Sequence, residues 1–343
     1  MFGQHKWTIS IATSISVLGL TIASGLLMLA HRFVEELSRP HNLSGEKQFS
    51  WGLPPDVPEP LSSCKRSLLF KANDGTLLRG EFWAQPHPAP TVVVCHGYHV
   101  SRAHLRPAAA LEYKFGYNVL LFDFRGHGES ESVATSGGNA EVRDLEAALA
   151  VASRQPETLP GKIIIHGFSM GASIALLTLP HPDVVAIIAD SPYARLDDIL
   201  RRLVHSRLMQ GTASWSPSFR LFRSTFPAVA WATVLAATVV FRLRFGHALI
   251  ARPDTIFKRW RKLSKAILHT PILLIHGSGD SLIPIAHARQ LVAKARAHNI
   301  QLQTYFVDHA RHCGAYGSDP QQYITVLQKF LSPHLGEAFP DNQ

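Results

Sequence analysis

The sequence predicts an α/β fold: a mostly parallel, eight-stranded sheet flanked by helices, with a helical insertion after the sixth strand. Three observations carry that prediction. Apolar, β-branched runs such as Val92-Val93-Val94 and Ile163-Ile164-Ile165 recur along the chain without polar alternation, as strands buried on both faces do. Helix-length segments such as 141–153 separate them, and strands alternating with helices imply a parallel sheet covered on both sides. The run Ile163–His166 then breaks into Gly167-Phe168-Ser169-Met170-Gly171 and continues as an apolar helical pattern, a strand-to-helix turn whose flanking positions must be small.

Composition sets the outer bounds. With 343 residues, 46% of them hydrophobic and 17% charged, the chain has room for one large α/β domain plus further segments and is not of a disordered class. Cys64, Cys95 and Cys313 are too few and too unevenly placed for a disulfide framework or a zinc site, so neither metal nor redox cofactor is expected. Cys95 falls inside an apolar strand pattern and reads as buried.

From the start, Trp7–Ala30 is twenty-four residues without a formal charge, between Lys6 and Arg32. That is long enough for a helix to cross a hydrocarbon core and longer than the roughly 7–15 apolar residues of a cleaved signal. The expectation is a retained single-pass anchor over 1–39 and a membrane location. Lys6 and the amino terminus on one flank face Arg32, Arg39 and Lys47 on the other, so both ends are basic and the orientation stays open. Residues 40–64 carry Pro40, Pro54, Pro55, Pro58 and Pro60 and read as a tether, since proline sustains neither a helix interior nor a central strand.

The strands follow in order. Ser67–Phe70 and Leu77–Trp83, around Asn73-Asp74-Gly75, predict an edge hairpin. Thr91–Cys95, Asn118–Phe124, Ile163–His166, Val184–Ala189, Pro271–His276 and Gln301–Val307 complete the set. The sheet-forming core is expected over 65–194 and 266–335, the insertion over 195–265, and a short tail over 336–343.

Five loops at strand ends carry the chemistry. They are His96-Gly97, Asp123-Phe124-Arg125-Gly126-His127-Gly128-Glu129-Ser130, Gly167-Phe168-Ser169-Met170-Gly171, His276-Gly277-Ser278-Gly279-Asp280 and Asp308-His309-Ala310-Arg311-His312-Cys313-Gly314. In this order the chain resembles the serine-hydrolase branch of the α/β-hydrolase superfamily across roughly residues 65 to 333. The resemblance implies a nucleophile, an acid and a histidine in that chain order. A serine hydroxyl needs an adjacent base, and that base a carboxylate to hold its tautomer; Ser169, Asp280 and His312 fill these roles. Asp190, at the end of another strand, is the alternative acid, and His309 the alternative base. His96 and His166 read as packing or hydrogen-bonding residues. The resemblance also implies an oxyanion hole of two backbone N–H groups, here those of Met170 and Tyr98; lining a pocket is the other role open to Tyr98.

The insertion is strongly basic. Residues 195–265 hold fourteen Lys and Arg against Asp197, Asp198 and Asp254, a net of +11, while the whole chain is +9. Inside it Ser224–Phe241 is eighteen residues without charge, at the threshold of a second span. A single crossing there would separate Ser169 from Asp280 and His312, so Thr225–Phe241 is expected as a cap helix that covers a pocket or lies at the interface, with arginines meeting anionic headgroups. An ordinary buried helix is the alternative. No nucleic-acid motif accompanies the charge.

The function expected is a membrane-anchored serine hydrolase acting on carboxylic esters, lipid or otherwise apolar. Peptidase and thioesterase chemistry use the same parts. A non-catalytic binding protein of the same fold is the alternative from another class.

Overall fold

The computed structural model describes residues 2–40, 57–178, 182–214, 216–260 and 270–335. An eight-stranded sheet runs in the order β1-β2-β4-β3-β5-β6-β7-β8. The strands are β1 (Lys65–Lys71), β2 (Leu77–Trp83), β3 (Ala89–Cys95), β4 (Asn118–Phe122), β5 (Thr158–Phe168), β6 (Val184–Asp190), β7 (Ile272–Gly277) and β8 (Leu302–Val307). Only β2 runs against its neighbours, so the expected mostly parallel sheet with an antiparallel edge is what forms. One strand is shorter than the expected Asn118–Phe124: β4 stops at Phe122, and beyond it the N–H of Asp123 donates to the Arg79 carbonyl at 2.9 Å while that of Phe124 donates to His96 Nε2.

The helices are α1 (Phe2–Ser38), α2 (Arg106–Lys114), α3 (Val142–Ala152), α4 (Met170–Leu177), α5 (Leu196–Gly211), α6 (Pro217–Arg220), α7 (Phe226–Phe245), α8 (Ile256–Trp260), α9 (Ala286–Ala297), α10 (Ala315–Ser318) and α11 (Pro320–Leu335). Successive strand side chains point to opposite faces, which explains why unalternating runs were needed. Val93, Ile163 and Ile165 join one apolar cluster with Leu145 of α3, Ile174 of α4 and Leu291 of α9. Val92, Val94 and Ile164 join the other with Ala109 of α2 and Leu327 and Phe330 of α11. Each central strand therefore needs apolar residues at every position.

The chain divides into two compact units. One is Ser38–Leu196 with Ile250–Gln343 and holds the sheet; the other is Met1–Leu37 with Asp197–Leu249. The sequence reading treats the N-terminal helix and the insertion as separate and extends the insertion to 265, whereas here α1 groups with α5, α6 and α7. Ion pairs link these helices: the Glu36 carboxylate takes Arg207 of α5 at 2.6 Å, and Glu35 takes Arg244 of α7. Ala30, Phe33 and Val34 are buried on the same stretch of α1. α7 continues four residues past the apolar run, to Phe245, and stops at Gly246 with φ 74°. Arg242 and Arg244 suit the negative end of a helix, and glycine suits the left-handed residue beyond it. Most of the expected tether (41–56) and all of the expected tail lie outside the described residues.

Candidate active site

β5 ends at Phe168 and α4 begins at Met170, so Ser169 alone makes the turn. Its φ of 54° with ψ −113° is a conformation that side-chain-bearing residues seldom adopt. The main chain is held from the next strand, the N–H of Ser169 donating to the Asp190 carbonyl at 2.8 Å. Close approach explains the glycine two residues on: a Cβ at Gly171 would lie 2.3 Å from the carbonyl oxygen of Cys95. That contact brings the exit of β3, and with it the Gly97-Tyr98 loop, against the start of α4.

The structure brings the three expected residues together. The Ser169 hydroxyl lies 2.9 Å from His312 Nε2, and His312 Nδ1 lies 2.7 Å from Asp280 Oδ2. The other oxygen, Asp280 Oδ1, accepts the backbone N–H groups of Leu282 at 3.0 Å and Ile283 at 2.8 Å. With Nδ1 facing a carboxylate it is the donor, which leaves Nε2 to accept from the serine hydroxyl. A hydroxyl so held can lose its proton to the imidazole as it attacks a carbonyl carbon.

The loops that carry Asp280 and His312 interlock. A Cβ at Gly277 would lie 2.1 Å from the Ala310 carbonyl, and the N–H groups of Ser278 and Gly279 donate to Val307 and Ala310 at 2.9 and 3.0 Å. This also places the alternatives. His309 is exposed, its N–H taken by the Ser278 hydroxyl at 2.8 Å. Asp190 is buried, and one of its oxygens accepts from the Ser191 hydroxyl at 2.8 Å. Ser191 Oγ in turn accepts the N–H of Cys313 at 3.0 Å, so Asp190 and Ser191 hold the backbone beside His312 while Asp280 holds the ring. Burial raises the Asp190 carboxyl to about 6.

Met170, as the first residue of α4, has an N–H without an intrahelical acceptor, at the positive end of that helix. His96 fixes the facing loop. Its Nδ1 donates to the Gly97 carbonyl at 2.7 Å and its Nε2 accepts from Phe124 at 2.9 Å. The Tyr98 ring packs edge-on to His127 at 5.7 Å. His166, the other histidine expected to pack, sits buried with Nδ1 2.7 Å from Glu112 Oε1.

Two contributors escape sequence reasoning. His276 donates Nε2–H to the Ile283 carbonyl at 2.7 Å and lies 3.6 Å from Asp280 Oδ2, behind the carboxylate; burial lowers its pKa, so it stands there neutral. Arg125 ties the loop after β4 down, its guanidinium bonding Asp144 at 2.6 Å and Asp74 at 2.8 Å. For His276 the signal was its place in the Asp280 motif, but spacing alone gave it no role.

The buried histidines beneath the Gly97-Tyr98 loop have a measurable consequence. Burial lowers His96 to about 4 and His127 to about 3, from an ordinary 6.5. Between pH 6.5 and about 4 the unfolded chain binds more protons than the folded one, so stability is complete above that window and falls as pH falls through it. In denaturant titrations, the advantage of the wild type over His96→Gln should therefore shrink by up to about 1.4 kcal/mol per pH unit below 6.5. A difference independent of pH would show that His96 titrates normally.

Residues 86–314 match the family described as serine aminopeptidase, S33, and that range contains Tyr98, Ser169, Met170, Asp280 and His312. The chain belongs to this S33 family. Among curated relatives, YqkD of Bacillus subtilis is 26% identical over 327 residues, covering 94% of each chain. The α/β hydrolase domain-containing protein WAV2 of Arabidopsis thaliana is 23% identical over 290 residues, covering 82% of this chain and 83% of its own. Among solved structures, the esterase Pf2001 of Pyrococcus furiosus superposes with a TM-score of 0.60 at 23% identity, over 87% of this chain and 97% of that one. The acylaminoacyl peptidase of Pyrococcus horikoshii gives 0.55 at 16%, over 81% and 43%. These S33 and structural likenesses make the protein an α/β hydrolase of the serine-hydrolase kind.

Proposed function

We propose that the protein is a membrane-tethered serine hydrolase that cleaves carboxylic esters of apolar acids through an acyl-enzyme. The observation that carries the reading is the 2.9 and 2.7 Å relay from Ser169 Oγ through His312 to Asp280. Ser169 Oγ attacks the ester carbonyl as its proton passes to His312 Nε2, and Asp280 stabilises the imidazolium that forms. The negative oxygen of the tetrahedral intermediate is met by the N–H groups of Met170 and Tyr98. His312 returns the proton to the departing alkoxide, which leaves an acyl group on Ser169. Water, deprotonated by the same imidazole, releases the acid.

The tether is α1, through Trp7–Ala30. The apolar substrate class follows from that anchor together with the apolar, basic insertion. A peptidase would use the same parts, and the family description and the Pyrococcus horikoshii likeness both point to that second reading.

Burst kinetics test the chemistry. With p-nitrophenyl esters of increasing chain length, rapid mixing should show a burst of nitrophenol equal to the enzyme concentration, with a preference for longer chains. A fluorophosphonate probe should label Ser169. Faster turnover of peptide p-nitroanilides than of any ester would give the peptidase reading. Folded wild type that takes no probe would make the protein a non-catalytic member of the fold.

A further inference from the structure

Exposed apolar surface is concentrated in the unit formed by α1, α5, α6 and α7. Among the described residues, thirteen of the seventeen exposed large apolar side chains lie there. On α7 they are Trp231, Leu235, Val239 and Leu243, a stripe at intervals of four, while Phe226, Ala230, Val234, Ala237 and Phe241 are buried on the other side. An exposed patch of this kind marks an interaction surface.

Leu221–Phe245 is long and apolar enough to cross a membrane by length and composition, yet it cannot cross alone. The insertion leaves β6 and returns to β7, and these strands are hydrogen-bonded neighbours, Ile187 opposite Ile272. Both ends of the insertion are therefore on one side of any membrane. Among the described helices between them, no other is long and apolar enough to bring the chain back.

Charge identifies what covers the stripe. Residues 197–249 carry seven arginines against Asp197 and Asp198, a net of +5, and residues 1–37 are neutral overall. Arg202 and His205 line a groove of about 480 Å³ with Ser206 of α5 and Pro227 and Ala230 of α7. Asp197 engages the neighbouring Arg201 at 3.0 Å, whereas Arg202 makes no ion pair among the described residues. A second copy would set +5 against +5. An anionic surface complements both the charge and the apolar stripe.

The same unit holds the base of the anchor. Along α1, Val17 and 19–29 are exposed apart from half-buried Leu26, and the next turns are clamped by Glu35 to Arg244 and by Glu36 to Arg207. The end of α7 is thus fixed next to the point where the apolar length of α1 begins. We infer that this unit seats the protein on a bilayer of anionic phospholipid, with the Trp231–Leu243 stripe in the interfacial layer and the Arg202–His205 groove taking a lipid phosphate. The inference rests on the tether reading for α1 and is independent of the reaction chemistry.

Fluorescence quenching in nanodiscs tests it on the full-length protein. In discs of phosphatidylglycerol with phosphatidylcholine brominated high on its acyl chains, the wild type should lose the emission of Trp231, seen as the difference from Trp231→Phe. Arg202→Glu should shift that loss to a higher phosphatidylglycerol fraction. Both variants should hydrolyse soluble p-nitrophenyl esters at the wild-type rate, which shows that they are folded. Unquenched Trp231 in protein that stays with the discs would overturn the docking and leave the tether standing. Cross-linking through the α7 stripe would assign that face to a second copy and overturn it too. Release of the protein by alkaline carbonate would instead overturn the tether.

Discussion

Ser169→Ala should lower kcat for ester hydrolysis by about a millionfold, with KM little changed, because no other atom in the site can form the acyl bond. The structure explains why this variant should still fold. Alanine removes only the hydroxyl, and the bond that holds the turn, from the N–H of residue 169 to the Asp190 carbonyl, is main-chain. The left-handed conformation is no worse for alanine than for serine, so melting temperature should stay near that of the wild type. Cys313 cannot substitute as nucleophile: burial raises its thiol well above the ordinary range, so no thiolate is available at neutral pH. The measurement is steady-state kinetics with a fluorophosphonate label followed by peptide mapping. Activity within tenfold of the wild type would place the nucleophile elsewhere and end the proposed mechanism.

Most of the sheet was legible because its strands are buried on both faces. Val92-Val93-Val94 supplies two residues to one apolar cluster and one to the other, and no helix of this fold needs an unbroken β-branched run. Strand ends were less legible. The strand expected to reach Phe124 ends at Phe122, before the buried Asp123, and a side chain 28 positions earlier takes the Phe124 N–H. The grouping of α1 with the insertion was not legible at all, since Glu35 and Arg244 are 209 residues apart and nothing local marks the pair.

The site divides the same way. Glycines flanking Ser169 announce a strained turn, because a Cβ at Gly171 would meet the Cys95 carbonyl and one at Gly167 the backbone of Gly171 and Ala172. Between Asp280 and Asp190, and between His312 and His309, the sequence left two alternatives each. What separates them is the contact of Gly277 with Ala310, which fixes the two loops against each other and depends on tertiary packing alone. Ser191 reads as part of a turn in Ser191-Pro192. Its hydroxyl between Asp190 and the Cys313 N–H needs a positive φ of 55°, and no sequence rule predicts that for serine.

Asp280→Asn should cost about ten-thousandfold in kcat while leaving the fold and KM nearly intact, and the hydrogen bonds around the carboxylate say why. Asp280 Oδ1 accepts two main-chain N–H groups, from Leu282 and Ile283. An asparagine must keep its carbonyl oxygen there, since its amide group would meet two donors with donors. The amide NH2 is then the group that faces His312 Nδ1, in place of the acceptor now 2.7 Å away. To meet a donor Nδ1 must accept, which puts the ring proton on Nε2, pointing at Ser169 Oγ. In that tautomer the imidazole cannot take the serine proton, so the nucleophile loses its base although every heavy atom stays in place. Fluorophosphonate labelling should slow alongside kcat, because it needs the same deprotonation. Asp190→Asn is the control: it alters the support of the Cys313 N–H and leaves the ring tautomer alone, so its loss should be far smaller. Equal losses in the two variants, or a larger one at position 190, would give the acid's role to Asp190.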